Sequence, residues 1–164
     1  MVLRRKKKKM KNKIHIGGDH AGFELKKTIK LHLEKEGYEV FDHGADEFDE
    51  NDDYPEFVVS VARELTIDPE SMGIIFGGSG QGEAMVANRF PGIRATVYYG
   101  EKDDDNSLDI IKLSRSHNDA NILSLGARFL SEEEAVEAVD LWLDTAFSGE
   151  ERHIRRIEEI NNLK

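Results

Sequence analysis

The sequence predicts an α/β domain built on a parallel sheet with helices on both faces. Three observations carry that prediction. Short β-prone runs alternate with amphipathic helical segments from Ile14 to the C-terminal region. The central runs, Gly73-Ile74-Ile75-Phe76 and Ile122-Leu123-Ser124-Leu125, are almost wholly apolar, as strands covered on both faces are. Polar, glycine-rich segments adjoin the predicted strands, and open α/β sheets bind ligands beyond the carboxyl ends of their strands.

The first strand is Ile14-His15-Ile16, closed by Gly17-Gly18. A helix over 21–36 follows, because Leu25, Ile29 and Leu33 recur every fourth residue on one face. Gly37 ends it, and Tyr38–Phe41 is the second strand. Pro55 suits the first turn of the next helix, which buries Val58, Val61, Ala62 and Leu65. The third strand, 73–76, opens into GGSGQG and a helix over 83–88. Strand Ile93–Tyr99, a helix over 108–113 and strand 122–125 complete the alternation. Two helices finish the chain, over 131–145 and 150–161, the first with Ser131 as N-cap and Glu134 completing a capping box.

At 164 residues, one domain with one core is expected, spanning 14–164 behind a basic extension, 1–13. The chain has no cysteine, which excludes disulfides, thiolate metal sites and a cysteine nucleophile. Its formal charge of −10 conceals a division: residues 4–13 hold eight of the 23 basic residues and no acid. The remainder sets 15 basic against 33 acidic residues, a body that repels nucleic acid and anionic membranes. Any anionic ligand must therefore meet a local concentration of cations. The basic run reads as a solvated tail, with Met10 as a natural start. No apolar run approaches a membrane span.

The segment Gly77-Gly78-Ser79-Gly80-Gln81-Gly82-Glu83 is the strongest chemical signal. Its glycines let backbone N–H groups converge, and the Ser79 hydroxyl adds a donor, a cradle for an oxyanion. Dinucleotide and Walker spacings are absent. Glu83 reads equally as a helix-start carboxylate or as a general base ionised at neutral pH. Asp19 and His20 follow the first strand, where Asp19 would also serve as a helix cap. His117 and Asn118 precede the fifth strand and read as turn formers or site residues. That segment, 116–121, is a third polar segment beside a predicted strand; the alternative is that it sits at the other end of its strand, reaching the site only across a subunit interface. Arg152, Arg155 and Arg156 supply the expected cation concentration, with Arg152 and Arg156 on one helical face. The acidic loop with Asp46, Glu47, Asp49, Glu50, Asp52 and Asp53 lacks calcium-loop spacing and reads as solvated.

Together, GGDHAGFELK, DDYPEF, GIIFGGSGQGEAMVANRFPGIRA, LSRSHNDANILSLGAR and RHIRR resemble the family of type B ribose-5-phosphate isomerases and galactose-6-phosphate isomerase subunits. The resemblance implies a Rossmann-like three-layer sandwich with a five-stranded parallel sheet. It also implies cytoplasmic aldose–ketose isomerisation of a sugar phosphate, with no metal or other cofactor. Ribose 5-phosphate to ribulose 5-phosphate is the expected reaction; the alternatives are another aldose phosphate (galactose, allose or a tetrose phosphate) or a non-catalytic phosphosugar binder. Members work as homodimers, some paired into tetramers, with shared active sites and a C-terminal helix reaching the partner subunit. One branch uses a cysteine base at the position of Gly77; this chain fits the branch with the base at Glu83. By the same resemblance Ser79 and the amides of Gly78, Gly80 and Gly82 hold the enediolate. His117 opens the sugar ring, and Asp19 and Asn118 bind hydroxyls and ring oxygen. His20, Arg128, Arg152 and Arg156 bind phosphate, with His153 beside them. The stretch between Ala95 and His117, with Asp103, Asp104 and Asp105, is longer than is typical of the family.

Overall fold

The computed structural model describes residues 13–100 and 107–163. The basic run up to residue 12 and the Asp103–Asp105 stretch lie outside the described residues. Five strands, β1 (Lys13–Gly18), β2 (Glu39–Asp42), β3 (Met72–Gly77), β4 (Ala95–Tyr98) and β5 (Ile122–Gly126), form one parallel sheet in the order β2-β1-β3-β5-β4. The helices are α1 (Phe23–Lys35), α2 (Tyr54–Ile67), α3 (Gln81–Ala87), α4 (Ser107–Ser116), α5 (Glu132–Asp144) and α6 (Glu151–Asn161). The expected α/β sandwich is therefore the observed fold.

Two apolar layers cover the sheet. On one face Leu25, Ile29 and Leu33 of α1 pack with Ala135, Ala138, Val139 and Trp142 of α5 and Ile111 of α4. On the other, Val58, Val61, Ala62 and Leu65 of α2 pack with Ala87 of α3. The faces read from sequence are the faces buried. Central β3 and β5 are buried along their whole length, which is why their sequences do not alternate.

The differences from expectation are local and have hydrogen-bond causes. Asp19 accepts from the Ala21 amide (3.1 Å), so the chain makes a 3-10 turn over His20–Gly22 before α1 begins. The Arg94 amide donates to the Asn121 side chain (2.7 Å), so β4 starts at Ala95. Ser131 and Glu134 form the expected capping box at the start of α5. β1 starts one residue before the expected Ile14, since Lys13 pairs with Glu39 in the ladder.

One buried ion pair bears on the site. Lys26, 1% exposed, donates to Asp42 (2.7 Å) and to the Ala45 carbonyl (2.7 Å). The main chain of Gly44 and Ala45 also bonds Gly18, so this loop is stitched to the end of β1. Burial alone would raise the Asp42 carboxyl pKa, but the bonds from Lys26 and Gly44 outweigh it and hold the pKa down. That contribution is present above the ordinary carboxylate range and is lost as pH falls through the depressed value. Lys26→Met should cost about 2–4 kcal/mol, read by denaturant unfolding at pH 7, because it strands Asp42. A loss under about 0.5 kcal/mol, the scale of a neutral surface change, would contradict the pair's structural role.

Candidate active site

The chain leaves β1 toward β2 on one side and continues from β3 toward β5 and β4 on the other, so the sheet's switch point lies between β1 and β3. A cavity of about 330 Å³ opens beyond these two carboxyl ends. Asp19, His20 and Ala21 line it from the turn after β1, and Gly78, Ser79, Gly82 and Glu83 from the loop after β3. Tyr54 and Arg128 close its sides. A larger groove, about 550 Å³, runs between α1 and α5, but Glu132, Glu133, Glu137 and Asp140 line it. An anionic ligand is repelled there, so chemistry rather than volume selects the smaller cavity.

The glycine-rich loop is pinned to the segment around β5. Ser124 Oγ donates to the Gly80 carbonyl (2.6 Å), the Ala127 amide to Gly77 (2.8 Å) and the Arg128 amide to Gly78 (3.1 Å). Gly80 takes φ of 77°, a left-handed conformation that favours glycine. Ser79 Oγ accepts from the Gln81 amide (3.3 Å), which leaves its hydroxyl proton free to donate.

Glu83 is 4% exposed, in the first turn of α3. A Cβ at Gly77 would fall on the Glu83 carboxylate. The carboxylate thus occupies the place a side chain at position 77 would take, and only glycine there admits it. Burial raises the Glu83 pKa above its ordinary value; its own backbone hydrogen bond opposes this and the charge of Asp19 adds to it. Asp19, 6% exposed, is also raised by burial.

Cationic groups stand in the same cavity. The Arg128 guanidinium lies over Gly78, where a Cβ would meet Nη1 at 3.2 Å. The His20 Nδ1 bonds Asp52 Oδ1 at 2.7 Å, and this contact raises the His20 pKa. Asp19, His20 and Asp52 are also the one trio among the described residues whose ligand atoms gather within 4.8 Å, enough for a metal ion. The His20–Asp52 bond already joins two of the three.

The other expected residues lie elsewhere. His117 and Asn118 follow α4, at the amino end of β5, in a turn held by Arg94 on the Asn118 and Asp119 carbonyls (3.1 and 2.9 Å). Asp119 takes φ of 44° there and is bonded by Arg115 (2.8 Å). The His153 ring stacks on His117, 4.2 Å between centroids, and the charges of Arg152 and Arg156 act on it. Burial and His117 lower the His153 pKa, and its Nε2 has no hydrogen-bond partner among the described residues. His153, expected beside the phosphate-binding arginines, is thus only 4% exposed. Arg152 is exposed and bonds Glu150 (2.9 Å). Five residues of β5, about 13 Å of strand, separate this group from the cavity. One chain therefore does not bring the two groups together.

Two site residues were given no role in the sequence. The Tyr54 hydroxyl lies against Gly82, where a Cβ would collide with it. Asp52 reaches His20, although its loop reads as solvated. Both belong to DDYPEF, but nothing in their spacing marks which of six loop acids turns inward.

An open parallel sheet with a glycine-rich oxyanion cradle, a buried carboxylate and cations at its switch point defines a class of phospho-ligand α/β proteins equipped for proton transfer. A family model described as Ribose/Galactose Isomerase matches residues 14–160, and the chain belongs to that family. It is 40% identical to ribose-5-phosphate isomerase B of Mycolicibacterium paratuberculosis over 146 residues, 89% of this chain and 87% of that protein. With the Escherichia coli ribose-5-phosphate isomerase B it shares 38% over 152 residues, 93% and 96% of the two chains. The crystal structure of the Mycoplasma genitalium isomerase B with bound ribulose 5-phosphate matches with a TM-score of 0.85 and 37% identity, covering 93% of this chain and 95% of that one.

Proposed function

We propose that this chain interconverts ribose 5-phosphate and ribulose 5-phosphate through an enediolate. The observation that carries the reading is the buried Glu83 carboxylate beside the Ser79 loop, in one cavity with His20 and Arg128. Glu83 takes the proton from C2 of the open-chain aldose as negative charge moves to O1. Ser79 and the loop amides of Gly78, Gly80 and Gly82 stabilise that oxygen. Returning the proton to C1, with O2 losing its proton and O1 gaining one, gives the ketose and restores the carboxylate. His20 and Arg128 hold the phosphate, and Asp19 a sugar hydroxyl.

The working form is a homodimer in the cytoplasm. A second copy brings its own His117, Asn118, Arg152 and Arg156 to the cavity, His117 to open the sugar ring and the arginines to complete the phosphate clamp. His153, beneath His117, steadies that ring. Two features support the pairing: the separation of the two groups along β5, and the outer surface of α6. Among its residues His153 alone is buried, while Ile154 and Ile160 are 41% and 47% exposed. Among the described residues no helix is long and apolar enough to cross a membrane.

The test is an isomerase assay across five- and six-carbon aldose 5- and 6-phosphates and a tetrose 4-phosphate. The highest kcat/KM is expected with ribose 5-phosphate. A preference for galactose 6-phosphate would reassign the sugar, and binding without turnover of any would make the chain a phosphosugar-binding protein.

A further inference from the structure

Five of the six acids in the loop between β2 and α2, Asp46, Glu47, Asp49, Glu50 and Asp53, are exposed. Asp52 departs from them, with a side chain only 10% exposed. Its Oδ1 accepts two hydrogen bonds from one residue, from the His20 amide (2.9 Å) and from His20 Nδ1 (2.7 Å). A nitrogen facing a carboxylate at that distance carries the proton, so Nε2 is the ring nitrogen left for a ligand. The other carboxylate oxygen, Oδ2, is buried with no hydrogen-bond partner among the described residues. An anionic oxygen stripped of water and set beside an imidazole favours the imidazolium.

The loop's path fixes this contact. Lys26 and Gly18 hold Gly44 and Ala45 at the end of β1. Farther on, Phe48 meets His20 and Phe23 edge-on, and the Asp52 amide bonds the Asp49 carbonyl (3.1 Å). The charges around His20 are Asp52 and Asp19, which favour its protonated form, and Arg128, which opposes it; the Asp52 bond is the largest influence.

We propose that Asp52 is a positioning residue for phosphate recognition, holding the His20 ring with Nδ1 on its carboxylate and Nε2 free for the phosphate of the sugar. This rests on the isomerase reading of the cavity. Without the Asp52 carboxylate the imidazolium of His20 is less favoured and its ring less fixed. A neutral imidazole donates one weaker bond to a dianion where the imidazolium donates a charge-assisted one.

The test compares wild type, Asp52→Asn and His20→Ala by steady-state kinetics between pH 5.5 and 8.5. The His20 ring titration is followed by NMR, with inorganic phosphate as the binding probe. Asparagine keeps an acceptor for both His20 bonds and removes only the charge. At pH 7.5, Asp52→Asn should raise KM for ribose 5-phosphate and Ki for inorganic phosphate about tenfold, with kcat within about twofold. The gap should close toward pH 5.5, where both proteins carry a protonated His20, an effect that a merely structural role would not produce. The wild-type His20 midpoint should exceed the ordinary imidazole value and fall in the variant. Equal KM at every pH, an unchanged His20 midpoint or an unaltered KM in His20→Ala each overturns the proposal. A wild-type midpoint at or below the ordinary value does so without any variant. A wild type that turns over no aldose phosphate removes the isomerase reading instead, and phosphate binding at the His20 resonance then decides the Asp52 claim.

Discussion

Glu83→Gln should lower kcat about 10³-fold while ribose 5-phosphate binds as well or better. The substitution keeps the shape of the cavity and removes the carboxylate proposed to accept the proton, a role worth about 10²–10⁴ in rate. Binding is preserved because a carboxylate beside an anionic ligand opposes it, and the amide does not. The pH profile gives a second reading. As the proposed base Glu83 works ionised, and burial raises its pKa, so the acid limb of kcat/KM should lie above the ordinary glutamate range, activity falling as pH drops through it. The same shift has a sign for stability. A folded-state pKa above the unfolded one means that ionised Glu83 weakens the fold as pH rises through the raised value. Glu83→Gln should therefore be at least as stable as wild type at pH 7, which separates loss of a base from loss of structure. Gly77→Ala tests the same point by geometry, since its methyl would displace the Glu83 carboxylate. Turnover near wild type in Glu83→Gln would remove Glu83 as the base.

Mixing two inactive variants should restore activity. In the proposed homodimer, Glu83→Gln and His117→Ala each disable every site of their own dimer. If the sites are shared, a hybrid dimer carries both lesions in one site and neither in the other. Random reassociation puts half of the dimers in hybrid form, so about a quarter of wild-type activity should return. The geometry behind this is the length of β5, which keeps His117 at the amino ends of the strands and Glu83 at the carboxyl ends. Replacing His117→Ala by Arg152→Ala in the mixture should recover KM as well as turnover, because the exposed guanidinium belongs to the same distant group. No recovery from subunits shown to exchange would place Glu83 and His117 in one chain's site and contradict the pairing.

The fold was legible because its signals are local. The four-residue recurrence of Leu25, Ile29 and Leu33 depends only on helix geometry, and those side chains are the buried ones. Ser131 and Glu134 cap α5 within one turn. The position of His117 was readable only as one of two placements, and the structure puts it before β5, at the amino end of a parallel strand. What was not legible depends on paths between elements. Nothing in GGSGQGE says that the Glu83 carboxylate lies where a side chain of residue 77 would go; that follows from how α3 turns back on β3. Asp52 is one acid among six in sequence, and its contact with His20, 32 residues away, depends on a loop path that Lys26 anchors at Asp42 and Ala45, 16 and 19 residues along the chain. His153, grouped with its neighbouring arginines by sequence, is turned inward because α6 lays it on His117.

The central claim is that Glu83 moves a proton between adjacent carbons of an open-chain sugar phosphate. Its most direct test is to incubate ribose 5-phosphate with the protein in D2O and follow the product by NMR. The account predicts ribulose 5-phosphate carrying solvent deuterium at C1 in at least part of the product, with neither ketose nor label formed by Glu83→Gln. Ketose formed at the wild-type rate by Glu83→Gln, or no conversion by the wild-type protein, would contradict it.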